Sequence, residues 1–266
     1  MIELRGIRKS FGDLELLRGV DLKIEKGETV MVIGPPGNGK SLLLKIVAGL
    51  IEPDEGEVLI DGKSITRATG LQLDQIRRRM GMLFQQYALF DSMSVRDNLS
   101  FAPRELTDLS EDEIHRRVRD SLASVKLKNV EDLKPSELSG GMKKRVGIAR
   151  AWVMQPEVII YDEPTAGLDP VSANRINDLI REYAKNHGAT AIAVTQEMLS
   201  AFYVSDRVAF LCNGKIMEVG TPDELRASTN PYIQQFLEGR LSGPITDEME
   251  ELVRSHISHG HEAGAS

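Results

Sequence analysis

Four short apolar runs set the frame of this chain. Thr29-Val30-Met31-Val32-Ile33 is continuously hydrophobic, and similar runs recur at 158–161, 190–195 and 208–211. Runs of this length, without alternation, predict strands buried on both faces. Residues 2–7, 16–24 and 57–60 also read as strands, with turn chemistry at Lys26-Gly27 and Asp61-Gly62, and predict an antiparallel sheet near the amino terminus. Helical density follows at Ser41–Leu50 and again near 171–187. Asn213-Gly214 predicts a hairpin turn, and Pro222-Asp223-Glu224 a helix start.

The stretch 86–156 has a different rhythm. Ser110 and Glu113 form a capping box, and Ile114, Val118, Leu122 and Val125 follow at helical spacing. Lys134-Pro135 breaks that system, and Ser139 is a cap for a helix over about 141–154. The pattern predicts an α/β fold with an amino-terminal antiparallel β subdomain and a helical subdomain inserted at 86–156. Composition shifts again near 241, so 1–240 is taken as the domain and 241–266 as a tail.

Bulk properties narrow the function. A formal charge of −7 and a pI near 5.4 disfavour a chain that coats nucleic acid. The single cysteine, Cys212, excludes an internal disulfide and suits a reducing compartment. The first residues read as a strand rather than a secretory signal, and no apolar run reaches the roughly 18 residues of a membrane span. Work at a membrane therefore needs spans from another chain.

Three motifs carry the chemistry. Gly34-Pro35-Pro36-Gly37-Asn38-Gly39-Lys40-Ser41, followed by Leu42, lies between a strand and a helix, as a phosphate-binding loop requires. Its glycines let backbone N–H groups face phosphate oxygens, and the following helix adds its positive end. Lys40 is placed to reach the β and γ phosphates of a nucleotide, and Ser41 to bind Mg²⁺. Asp162 and Glu163 end an apolar strand, where an aspartate holds the metal through water and a glutamate activates the attacking water. Leu138-Ser139-Gly140-Gly141-Met142 opens a helix with a serine and two glycines, an anion site lacking its own lysine.

In this order and spacing the three motifs resemble the ATP-binding-cassette (ABC) ATPases, over about residues 1–240. The resemblance implies a P-loop NTPase core, and that ATP is sandwiched between two copies, bound by the phosphate loop of one and by Ser139, Gly140 and Gly141 of the other. Ala166-Gly167-Leu168-Asp169 matches the loop lining that seam. Gln85 matches the glutamine loop, which touches the metal and links core to helical subdomain. Arg77-Arg78-Arg79 just before it reads as a solvated helix face. Phe11 stands where the family stacks an aromatic on adenine; a phenylalanine ending a strand serves equally as core, and both readings stand.

Two departures refine the picture. The signature ends in Met142 instead of Gln, which, with Met82–Phe90 and Phe236-Leu237-Glu238-Gly239, is similar to the Mla-type bacterial phospholipid transporters. That resemblance implies an integral membrane permease, an MCE-type lipid-binding protein and a peripheral place on the cytoplasmic face of the inner membrane. Gln196 occupies the position of a catalytic histidine and can donate a hydrogen bond but not carry a proton. Turnover is expected to be slowed, and a regulatory or scaffolding cassette with weak turnover is the alternative. A soluble cassette acting on DNA or ribosomes fits less well, since the chain is acidic and holds a single cassette. In the tail, Met249, Leu252 and Val253 suggest a docking helix, and His256, His259 and His261 read as a solvated end.

Overall fold

Continuous apolar runs and the turns between them set the central strands. In the computed structural model, which describes residues 1–247, the chain begins with β1 (Ile2–Phe11) and β2 (Leu14–Ile24), an antiparallel pair, followed by β3 (Thr29–Ile33). The glycine loop leads into α1 (Lys40–Val47). Then come β4 (Glu55–Ile60), β5 (Lys63–Ser64), α2 (Leu71–Arg77) and β6 (Met80–Leu83). Helices α3 (Val95–Leu106), α4 (Glu111–Ser124) and α5 (Gly140–Trp152) fill the next stretch. β7 (Val158–Asp162), α6 (Pro170–His187), β8 (Thr190–Val194) and α7 (Met198–Val204) continue the core. β9 (Arg207–Cys212), β10 (Lys215–Gly220), α8 (Pro222–Arg226) and α9 (Pro231–Glu238) follow.

Two sheets result. The antiparallel sheet has the order β2-β1-β4-β5, and the larger sheet β10-β9-β3-β8-β7-β6. In the larger sheet β6, β7, β8, β3 and β9 run parallel and β10 closes one edge antiparallel. Alternate residues of its central strands enter two different apolar layers, which is why those runs are continuously hydrophobic. Val30, Val32, Ile160 and Ile192 join Leu43 and Ile46 of α1 and Ile2, Leu4 and Ile7 of β1. Met31, Ile33, Ile159 and Tyr161 join Leu99 of α3, Val118 of α4, Ile148 of α5 and Ile176 of α6. The helices of 86–156 thus share an apolar core with the sheet.

The helix starts follow their caps. Ser94, Ser110 and Ser139 each accept a hydrogen bond from the N–H three residues on, and Asp169 accepts from both Val171 and Ser172 at 3.0 Å. Several expectations need correction. α1 stops at Val47, short of Leu50, because Gly49 turns into the left-handed region (φ 67°) and leaves Leu50 exposed. α4 ends at Ser124, well before Pro135, where Lys126 and Asn129 adopt positive φ. Arg77-Arg78-Arg79 is not simply a solvated face. Arg77 donates to the Gly49 carbonyl at the end of α1, while Arg79 pairs with Glu157 at 2.7 Å and with Asp61. The short α2, α7 and α9 had no separate signal in the apolar pattern.

At the carboxy-terminal end, Ile245 N–H donates to Gln235 Oε1 at 2.8 Å, which keeps this segment on α9. Met249, Leu252, Val253, His256, His259 and His261 lie outside the described residues. Among buried polar pairs, Trp152 Nε1 donates to the Tyr161 hydroxyl at 3.0 Å, joining α5 to β7 inside the core. Tyr161→Phe leaves that indole N–H without a partner. The expected cost is about 1–3 kcal/mol, read as a lower urea midpoint with an unchanged slope.

Candidate ATP-binding site

The phosphate loop is built by close backbone approach. At Gly34 the chain leaves β3 with φ 146°, and a Cβ there would lie 1.9 Å from the Leu211 carbonyl oxygen of β9. At Gly39 φ is 85°, and a Cβ would meet Leu17 of β2 at 2.9 Å. Only glycine fits either position. Asn38 ties the loop down, its Oδ1 accepting from Asn213 N–H at 2.7 Å and its Nδ2 donating to Pro36 O at 3.3 Å. Lys40, nearly buried, donates from Nζ to the carbonyls of Gly34 and Pro35, both at 2.8 Å. Burial lowers its pKa, and the nearby Glu163 and Asp162 oppose that shift. Pro35 is buried, Gly37 and Pro36 are exposed, and Leu42 packs against the layer of α1.

The acidic pair faces this loop across the sheet edge. Ser41 Oγ donates to Asp162 Oδ1 at 2.8 Å, so a hydroxyl and a carboxylate converge where α1 begins and β7 ends. Glu163 follows with φ 50°, a region that non-glycine residues enter at an energetic cost. Its backbone N–H donates to Val194 O at 3.0 Å, and its Oε2 accepts from Gln196 N–H at 3.3 Å. Burial raises the Glu163 carboxyl pKa, with the Gln196 hydrogen bonds pulling the other way. Gln196 itself is exposed, one residue past Thr195 at the end of β8.

The glutamine loop joins the cluster indirectly. Gln85 is exposed after β6, and its carbonyl accepts from Lys144 Nζ at 3.4 Å. The same Nζ donates to Glu163 O at 2.9 Å. Lys40, Ser41, Asp162, Glu163 and Gln196 are therefore brought together directly, and Gln85 through Lys144. Lys144 was not among the motif residues. Its signal was a lysine on the buried side of α5, in line with Gly147, Ile148 and Ala151. Phe11 is 53 % exposed, with Lys9 Nζ 5.6 Å from its ring centroid, so it is not a core residue. Ser139 and Gly140 are exposed and Gly141 half-buried at the start of α5, and among the described residues they are not bonded into the cluster.

The family model for ABC transporters matches residues 17–166, a segment holding the phosphate loop, the signature and the acidic pair. The chain belongs to the ABC transporter ATP-binding family. As such a cassette it is an ATP-binding ATPase with the P-loop fold described above. It is 47 % identical to the chloroplast protein TRIGALACTOSYLDIACYLGLYCEROL 3 of Arabidopsis thaliana, over 92 % of this chain and 75 % of that one. It is 39 % identical to the probable ribonucleotide transport ATP-binding protein mkl of Mycobacterium tuberculosis (strain H37Rv), over 99 % of this chain and 75 % of the relative. It is 35 % identical to the intermembrane phospholipid transport system ATP-binding protein MlaF of Escherichia coli (strain K12), over 92 % and 91 %. Among solved structures, the dimeric bacterial ABC transporter cassette MJ0796 superposes with a TM-score of 0.78 at 31 % identity, covering 84 % of this chain and 99 % of that one.

Glu163 gives this cassette a signed pH dependence. A raised folded pKa means that the folded state binds the proton more tightly than the unfolded state, so ionisation lowers stability. The penalty is absent well below the unfolded glutamate value of about 4.3 and complete above the raised folded value. Glu163→Gln removes the charge while keeping an acceptor. The variant is expected to melt above the parent at pH 7, with the difference closing as the pH falls toward 4. Melting curves across that range check it, and a difference that grows on acidification contradicts it.

Proposed function

We propose that this cassette is the ATP-hydrolysing subunit of a transporter that moves phospholipid between membranes, working as an ATP-sandwich pair on an integral membrane permease. The observation that carries the pairing is at the start of α5. Gly140 and Gly141 have ordinary φ, and a Cβ on either would meet nothing within 4 Å. Among the described residues nothing requires glycine there, although glycine inside a helix costs roughly 0.5–1 kcal/mol relative to alanine. A second body that approaches this backbone closely supplies the reason, and a triphosphate held by another copy fits it. MJ0796, similar in fold, is described as a dimer and also in a state bound to ADP and Pi.

In this reading Gly34, Pro35, Pro36, Gly37, Asn38, Gly39 and Leu42 shape the loop, and Lys40 binds the β and γ phosphates. The converging oxygens of Ser41 and Asp162 fit a hard divalent cation, so these two, with Gln85, would hold Mg²⁺. The cation would neutralise charge on the phosphates. Glu163, buried and basic for a carboxylate, orients and deprotonates the attacking water. Gln196 donates a hydrogen bond toward the γ phosphate, and Phe11 offers an exposed ring for adenine.

Lipid cargo rests on the relatives whose names carry it, MlaF at 35–37 % identity and the Arabidopsis protein, together with the signature ending in Met142. An MCE-type lipid-binding protein completes the set of partners. No helix among the described residues is long and apolar enough to cross a membrane. Placement on the cytoplasmic face of the inner membrane is therefore peripheral, through the permease. A second reading, favoured by Gln196, is a regulatory or scaffolding cassette that closes on ATP and barely turns over.

Two experiments test these readings. With saturating Mg-ATP, Glu163→Gln is expected to lose at least about 100-fold in turnover while remaining dimeric by light scattering. A parent that stays monomeric with Mg-ATP, both alone and beside its permease, overturns the sandwich. Gln196→His is expected to raise steady-state turnover several-fold, and equal rates for the two forms would show that residue 196 does not limit the reaction.

A further inference from the structure

Lys144 is the most enclosed cation described, with no exposed surface, in a helix whose other inward residues are small or apolar. An ammonium buried in a protein interior costs several kcal/mol unless its donors are matched. Here they are. Nζ donates to Glu163 O at 2.9 Å and to Gln85 O at 3.4 Å, and lies 4.8 Å from the centroid of the Tyr87 ring. Both segments it grips are conformationally strained. Glu163 has φ 50°, and Tyr87 and Ala88, two and three residues past Gln85, have φ 64° and 49°.

A second cation of α5 reinforces the grip. Arg150 donates from Nη1 to Ala88 O at 2.5 Å and from Nη2 to Tyr87 O at 3.0 Å. Between the two, Gly147 lets α5 lie close to the loop, since a Cβ there would sit 3.0 Å from Leu83 and 3.7 Å from Tyr87. The backbone of Gln85–Ala88 is thus clasped to α5 at both ends, and one of those clasps is shared with the backbone of Glu163.

We propose that Lys144 is a positioning residue for hydrolysis, coupling the glutamine loop to Glu163 by holding the two backbones on one ammonium. Movement of residues 85–88 then shifts the carboxylate that acts on water, and a correctly seated loop fixes it. Lys40 bonds to the phosphate-loop carbonyls of Gly34 and Pro35 without Lys144, so the loop's hold on ATP is expected to survive the loss of Lys144. The inference rests on Glu163 as the group that activates water.

The test compares Lys144→Met, which keeps the length of the stem and removes every donor, with the parent and with Glu163→Gln. Steady-state turnover and equilibrium affinity for a fluorescent ATP analogue with Mg²⁺ are measured on the 266-residue chain. Lys144→Met is expected to lower kcat at least about tenfold, as misplacement of a reacting group does, and to leave affinity within about threefold. A smaller loss of kcat overturns the proposal, and so does a parallel loss of affinity, which marks general damage. Should Lys144→Met fail to fold, Lys144→Gln is judged by the same two criteria. Full turnover in Glu163→Gln removes the underlying reading. An inactive Glu163→Gln beside an unaffected Lys144→Met refutes the role of Lys144 alone.

Discussion

Four charged groups are buried together where the parallel sheet meets the phosphate loop. Lys40, Lys144, Asp162 and Glu163 are each no more than 6 % exposed, two cations against two acids. Any one of them alone would be strongly disfavoured in such a place, or would shed its charge. Placed together, each acid offsets the desolvation of both lysines, and the pKa of both lysines is lowered by burial and raised by Glu163 and Asp162. The rest of the fold serves to keep this set in register. β3, β7 and β8 deliver the loop, the acids and Gln196 to one edge because they are adjacent and parallel.

Helix α5 is the second organising element. Its start carries the glycine signature, Lys144 holds Gln85 and Glu163, and Arg150 holds Tyr87 and Ala88. Trp152 at its far end is bonded to Tyr161 and stacked on Tyr183 of α6. One rigid rod therefore touches the signature, the glutamine loop and the core strand that ends in the acids. A displacement at its first turn cannot be absorbed locally, because its other end is locked into close-packed aromatic core. This gives the helical part of the chain a mechanical reason to be covered by the same apolar layer as the sheet.

Much of this was legible in the sequence, and the exceptions have physical causes. Buried strands such as Val158–Tyr161 announce themselves because both faces are apolar, and Ser110 and Ser139 announce helices because their side chains cap the first turn. The phosphate loop and the acidic pair were readable because a glycine-rich turn between strand and helix and two acids closing an apolar strand stand out in the sequence. The short helices α2 and α7 bury too little to leave a periodic mark: α2 buries Ile76 alone. Arg79 looked like surface charge because its partners, Asp61 and Glu157, lie far along the chain. Lys144 hid in plain sight, since two successive lysines read as solvent-facing until the phase of the helix shows that only the second points inward.

The substitution at residue 196 follows from how Glu163 is held. One hydrogen bond between them runs from the Gln196 backbone N–H to the Glu163 carboxylate, and every residue except proline supplies that donor. Changing the side chain at 196 leaves that backbone bond in place and alters the second, side-chain hydrogen bond that Gln196 makes to the same carboxyl. On the proposed reading the side chain is also the group offered to the γ phosphate as charge develops, where a neutral amide stabilises less than an imidazolium. The backbone at 196 therefore helps to seat Glu163 whatever the side chain, and on the proposed reading the side chain sets the rate. The two proposed readings, an active transporter subunit and a slow, ATP-gated cassette, can accordingly share this fold and this backbone bond, and differ in the rate that the side chain at 196 permits.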